Sequence, residues 1–231
     1  MRSSFNAYGR SSKEYGPLHI PIWLGMVKPI PVGGTLDSDY NLKGLLLPAG
    51  TPINITNKVI KPLVGFEVVS FSAGDGDTTP NDTVVVRPAV YGGVEFLPEA
   101  GDFIQKLGDT FAATGKAAEV VSVTALTGDD AGKYSVAVAH SATIDTPSAG
   151  DFIVLSSAAA AGSSKSIAVQ PNAYLFHDIW LGDLDVANDD TFATGAAIMY
   201  HPEGILIDRT PAAAFKAAMA AAVPGVLQVA E

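Results

Sequence analysis

The chain has no cysteine among its 231 residues, which excludes disulfides, thiolate nucleophiles and cysteine-ligated zinc. That suits assembly in a reducing cytosol. It also lacks any apolar run of roughly 18 residues, the length a membrane-spanning helix needs. The nearest approach, Ala212 to Val229, is broken by Lys216, Pro224, Gly225 and Gln228. Met1-Arg2-Ser3-Ser4-Phe5 carries no apolar core, so no secretory leader is expected, and the chain is expected to be neither exported nor membrane-bound. Charge is scarce as well: 16% of residues are charged and 48% are hydrophobic, against about 25% charged in an ordinary soluble domain. The expected surface is rich in Ser, Thr, Gly and Ala and partly covered by partners.

Catalytic signatures are missing too. No G-x-S-x-G elbow, phosphate-binding glycine loop or dinucleotide fingerprint occurs. The histidines His19, His140, His177 and His201 lie in separate segments and form no closely spaced metal pair. His177-Asp178 and His201-Pro202-Glu203 set a carboxylate beside an imidazole, but a triad also needs an activated serine. No catalytic or cofactor-binding residue is assigned, and the chain is expected not to be an enzyme.

What charge there is lies unevenly. The net charge is −10, yet residues 1–30 hold Arg2, Arg10, Lys13 and Lys28 against Glu14 alone, so the rest of the chain is strongly acidic. An acidic body argues against nucleic acid as a partner, since phosphates demand a basic face. Within residues 1–40, Pro17, Pro21, Pro29 and Pro31 space short apolar pieces around Trp23, Leu24 and Met26. That density of proline excludes helices and central strands and leaves an extended path. Two readings stand: a solvated tail, or an extended arm docking through Arg2, Arg10, Lys13, Trp23 and Leu24 on an acidic protein surface.

From residue 41 the pattern is β. Leu45-Leu46-Leu47-Pro48-Ala49-Gly50-Thr51-Pro52-Ile53 reads as strand, tight corner and strand, with Gly50 free to take positive φ. Val64–Phe71 and Thr83–Tyr91 are rich in β-branched and aromatic residues, the second interrupted by Pro88. Glu119–Val123 and Tyr134–Val138 flank Gly128-Asp129-Asp130-Ala131-Gly132 as a hairpin. Pro98-Glu99-Ala100-Gly101-Asp102-Phe103-Ile104 resembles Pro147-Ser148-Ala149-Gly150-Asp151-Phe152-Ile153, a turn entering a strand used twice. A second likeness, Asp109–Gly115 with Asp190–Gly195, has a different spacing, so no solenoid is implied. Ala158–Ser166 reads as a small-residue linker, and Gly204–Asp208 as a buried strand. Thr210 and Pro211 fit the cap and first position of a helix running to Ala222, with Phe215, Met219 and Ala222 on its packed face.

The expected fold is therefore mainly β: one or two small barrel- or sandwich-like modules, an extended N-terminal arm and a short C-terminal α-helix. The expected division is an arm over 1–40, β-segments over 41–94, a middle β-module over 95–160, and strands plus helix over 161–231 completing the core with 41–94. Asp183, Asp185 and Asp189, with Asn188 and Asp190, are the best candidate metal set, ahead of Asp75-Gly76-Asp77, because oxygen ligands at short spacing suit calcium. The same residues suit a solvated turn, and no EF-hand order is present. Phe176 and Trp180, four apart in an apolar run, fit core packing better than a carbohydrate platform.

Two stretches resemble proteins of tailed-bacteriophage heads. Leu47-Pro48-Ala49-Gly50-Thr51-Pro52 resembles the L-P-A-G-T segment of small head decoration proteins. Phe176-His177-Asp178-Ile179-Trp180-Leu181-Gly182-Asp183-Leu184-Asp185, then Gly204–Pro211, the helix and Val223–Gln228, resemble head fibre or auxiliary capsid proteins of Bacteroidetes (crAss-like) phages. The resemblance covers about a third of the chain. It implies a structural virion protein on the capsid exterior, assembled in the host cytoplasm, with the major capsid protein and copies of itself (dimer or trimer) as partners. It implies no catalytic residue. The alternative is a virion-surface module that binds host glycans.

Overall fold

Strands built on valine, isoleucine and threonine dominate the computed structural model, which is 45% strand and 13% helical and contains a six-stranded β-barrel. The mainly β fold with a short C-terminal helix is as the composition predicts. The structure describes residues 28–29, 35–36, 46–57, 59–91, 94–140, 144–157, 164–175, 179–180, 196–198 and 204–230. The chain divides into two compact units, one of residues 1–62, 91–94 and 171–231, the other of residues 63–90 and 95–170.

The second unit is the barrel. Its strands are β1 (Gly65–Ser72), β2 (Asn81–Arg87), β3 (Phe103–Lys106), β4 (Gly115–Ala125), β5 (Tyr134–Ala139) and β6 (Phe152–Leu155). They run in the order β3-β6-β1-β2-β5-β4, and β4 pairs back to β3 to close the wall. Every pairing is antiparallel. Phe66 and Val68, Val84 and Val86, and Val136 and Val138 are buried at alternating positions, and Ile104, Ala117, Ala118, Val120, Ile153 and Val154 are buried as well.

The barrel is internally duplicated. β1 and β4 share Glu-Val-Val-Ser at 67–70 and 119–122. Val68 pairs with Val86 and Phe71 with Val84; 52 residues later Val120 pairs with Val138 and Val123 with Val136. Each strand carries one register shift at the same point, so Val69 and Val121 are the extra residues of matching bulges. β3 and β6 are the matching third strands and pair with each other about Gln105 and Val154. Exchanging β1 with β4, β2 with β5 and β3 with β6 leaves the strand order unchanged, which is a pseudo-twofold barrel.

The turns that lead into β3 and β6 explain the repeated Ala-Gly-Asp. Gly101 and Gly150 sit at φ 95° and 88°, and Asp102 N–H and Asp151 N–H donate to Glu99 O and Ser148 O, both at 3.0 Å. Positive φ at the third position makes these type II turns, which glycine adopts without strain. The aspartate carboxylates accept from Glu99 N–H at 2.7 Å and Ser148 N–H at 2.6 Å. Each turn then clasps a neighbouring strand: Gly101 N–H to Val120 O and Val120 N–H to Asp102 O, Gly150 N–H to Val68 O and Val68 N–H to Asp151 O, all 2.8 Å. The clasped residues are the ones before the two bulges.

The first unit uses the same device once more. Gly50, φ 81°, forms the corner with Thr51 N–H donating to Pro48 O at 3.2 Å. Gly50 N–H reaches Leu175 O, and Leu175 N–H returns to Thr51 O. Pro48 has no N–H for a carboxylate to accept from, and here threonine replaces aspartate: its hydroxyl donates to Pro48 O at 2.6 Å. The strand leaving the corner, Pro52–Thr56, lies in a sheet ordered Lys28–Pro29, Ala196–Ile198, Ala173–Leu175, Pro52–Thr56, Val59–Pro62, Thr35–Leu36. Leu46–Leu47, entering the corner, pairs instead with Ile179–Trp180. Thr210 accepts from Ala212 N–H as the helix cap, with Pro211 following. The first turns, Pro211–Phe215, wind as 3-10 before α1 (Lys216–Ala222) begins. Phe215 at φ −119°, ψ 21° separates the two windings. Ala212, Phe215, Ala218 and Met219 are buried, whereas Ala222, expected on the packed face, is half-buried.

Three expectations differ from these boundaries. The second compact unit takes in residues 63–90 and 95–170, where a middle module over 95–160 is expected, because β1 and β2 are walls of the barrel. Ser164–Lys165, at the end of the supposed linker, is a strand on Gly115–Lys116. Gly204–Asp208 holds a strand of only two residues, Ile205–Leu206, followed by a 3-10 turn over Ile207–Arg209.

Tyr174 gives this unit a measurable alkaline limit. Its phenol is fully buried, accepts from Gln228 Nε2 at 3.3 Å, and is pushed up to about 12 by burial. The unfolded phenol ionises near 10, so between pH 10 and 12 the folded state holds a proton the unfolded chain has lost. Stability is full below pH 10 and should fall by on the order of 2 kcal/mol as pH rises through that window. Denaturant titrations at pH 9 and pH 11.5 should show the loss, and Tyr174→Phe should remove it.

Candidate functional site

Strongly polar side chains among the described residues gather where β1 hands over to β2. Asp75 begins that loop and binds its own turn: its carboxylate accepts from Thr78 Oγ1 at 2.6 Å, Thr79 N–H at 2.7 Å and Asp77 N–H at 2.9 Å. These bonds, Thr78 first, hold its pKa down at about 2. A carboxylate so engaged is a turn anchor rather than a ligand in waiting.

Asp82, at the other end of the loop, is wholly buried. Its Oδ1 accepts from Gly74 N–H at 2.8 Å and lies 2.8 Å from His140 Nδ1, while Oδ2 is buried with no hydrogen bond. A carboxylate removed from water needs such partners. The His140 ring lies close against Gly76, where an added Cβ would come within 3.3 Å of Cδ2. Asp82 thus latches the loop that follows β1 to the residue that follows β5, across the pseudo-twofold seam between β2 and β5. An Asp–His pair orients an imidazole as catalytic dyads do; among the described residues, the one side-chain hydrogen bond of His140 is to Asp82. Through Gly74 N–H and His140 Nδ1, the Asp82 carboxylate ties the two ends of this loop region together.

The second notable surface is the part of β4 beyond its clasp. Gly115–Lys116 pairs with Ser164–Lys165, 117–119 pair with β3, and Val120 is held by Gly101 and Asp102. After that point no described strand lies on that side of β4. Val121, Ser122, Thr124 and Ala125 are exposed, Val121 by 46%. The equivalent stretch of β1, beyond the clasp on Val68, is Val69–Ser72.

The residues nominated from sequence fall elsewhere. Arg2, Arg10, Lys13, Trp23 and Leu24, and the calcium candidates Asp183, Asp185 and Asp189, lie outside the described residues, as do His19, His177 and His201. Among the described residues no group of three or more His, Asp or Glu side chains is placed to hold a metal ion, and no helix is long and apolar enough to cross a membrane. The Asp82–His140 latch had no signal in the sequence, because its members are 58 residues apart and sit in unremarked polar text. The open edge did have one: the doubled Glu-Val-Val-Ser.

No family model matches this chain, and no curated protein and no solved structure matches it.

Proposed function

We propose that this chain is a structural virion protein that binds the outer surface of a tailed-phage capsid, as a decoration, auxiliary or head fibre subunit. Its partners are the major capsid protein and further copies of itself. It assembles in the host cytoplasm and resides on the capsid exterior. The observation that carries this reading is a pairing. Leu47, the first residue of the decoration-type corner, and Leu46 before it pair with Ile179 and Trp180 of the head-fibre-type run, and both stretches belong to the first unit. Ile179–Trp180 of the one stretch thus pairs with the strand that enters the corner of the other, with the barrel lying between them in the chain. Scarce charge adds support, since surfaces covered by partners lose charged residues at their centres.

In this reading residues 1–40, with Arg2, Arg10, Lys13, Trp23 and Leu24, engage the acidic face of the shell. Deleting residues 1–35 should then reduce incorporation into heads by tenfold or more while the remaining chain stays folded. Quantifying bound protein after sedimentation of heads checks this, at low and high salt because screening weakens the basic contacts. Undiminished incorporation of the deleted chain overturns the role of the arm. Failure of the full chain to bind overturns the function.

A further inference from the structure

The open half of β4 has the features of a strand waiting for another strand. Natural sheets guard free edges with charge, proline or brevity. Val120-Val121-Ser122-Val123-Thr124-Ala125-Leu126-Thr127 contains no charge, proline or glycine, and β4 is eleven residues long. Its bulge at Val121 lies at the start of the open stretch, leaving Ser122–Ala125 regular against β5.

Backbone direction follows from the partner strand. Leu126 N–H donates to Lys133 O, so 126 and 133 are a hydrogen-bonded pair. Alternation then turns residues 124 and 122 toward β5, and turns the N–H and C=O of Val123 and Ala125 outward. Side chains alternate separately, with Val121, Val123 and Ala125 on one face and Ser122 and Thr124 on the other.

We propose that this edge pairs with the same edge of a second copy of the chain, antiparallel about a twofold axis at Val123. In that register Val123 faces its twin, exchanging two backbone hydrogen bonds. Ser122 faces Thr124 of the second copy, hydroxyl to hydroxyl, and Val121 faces Ala125. Every pair is matched in kind, which is the condition for a self-complementary contact. Over Val121–Ala125 the register opposes no charged side chains. The sister edge on β1 is shorter beyond its clasp, ending at Ser72, after which Asp75 holds the chain in its own turn. The pairing deepens the self-association included in the proposed function by naming its contact. It is tested on the purified chain without capsids, so its failure and the failure of capsid binding are separate results.

The test uses the full chain. Its solution mass, measured by sedimentation equilibrium up to millimolar concentration, should rise from one chain mass toward two. Val123→Lys should weaken association at least tenfold with an unchanged melting profile, since the site is only half-buried. Phe71→Lys should leave association unchanged. Because the chain has no cysteine, Val123→Cys should form a disulfide dimer under mild copper-catalysed air oxidation. Thr124→Cys alone should not, but mixed with Ser122→Cys it should. A wild-type chain that stays monomeric, dissociation by Phe71→Lys instead of Val123→Lys, or oxidised Val123→Cys that stays monomeric would each overturn the proposal.

Discussion

Phe66→Ala should destabilise the barrel by about 3–5 kcal/mol, the range for truncating a buried aromatic side chain. Phe66 is 2% exposed on β1, directly opposite Ile153 of β6, which is fully buried. The ring joins the two strands at the seam where the chain's far halves meet. A barrel closed on every side resists collapse into the space vacated, so the cavity term adds to the lost transfer free energy. Val121→Ala, on the open edge, should change stability by about 0.5 kcal/mol or less. Denaturant midpoints at constant slope measure both. A loss below about 1 kcal/mol for Phe66→Ala would mean that the ring is not packed where the register places it.

Gly204→Val should cost about 3 kcal/mol or more, through contact rather than conformation. A Cβ at residue 204 would fall on the backbone carbonyl of Leu227. That is where Ile205 N–H donates to Leu227 O at 2.8 Å and the two-residue parallel pairing of Ile205–Leu206 with Gln228–Val229 begins. Backbone cannot swing aside as a side-chain tip does. The substitution therefore forces the strand at 228–229 away from 205–206, and with it the Gln228 side chain that reaches Tyr174 Oη and Lys216 O. A denaturant midpoint for Gly204→Val equal to that of the unaltered chain would contradict this.

Much of this was legible from local chemistry. The Pro48–Thr51 corner, the Glu119–Val138 hairpin and the Thr210 cap depend on residues within a turn or two of each other, and each forms as the residue types predict, although the turns after the cap wind as 3-10 up to Phe215. The boundaries of the barrel depend on pairings such as Phe66 with Ile153, which no local pattern announces. For that reason β1 and β2 are easily assigned to the segment they adjoin in sequence. The duplication was half visible. Gly101 and Gly150 recur after 49 residues and Val68 and Val120 after 52, since connecting loops of unequal length shift the two matches apart. The shared conformation of three Ala-Gly turns, with threonine substituting for aspartate where proline removes the N–H, follows only from the hydrogen bonds. Asp82 and His140 meet through the pairing of β2 with β5, and Asp82 stands where sequence reads a polar loop.

The central claim, attachment to the outside of a phage capsid, is tested most directly by cryo-electron microscopy of heads assembled in the presence of the full chain. The account predicts density for the chain at regular positions on the outer shell, with residues 1–40 lying along the major capsid protein. Bare heads, with the chain left unbound in the same preparation, would contradict it.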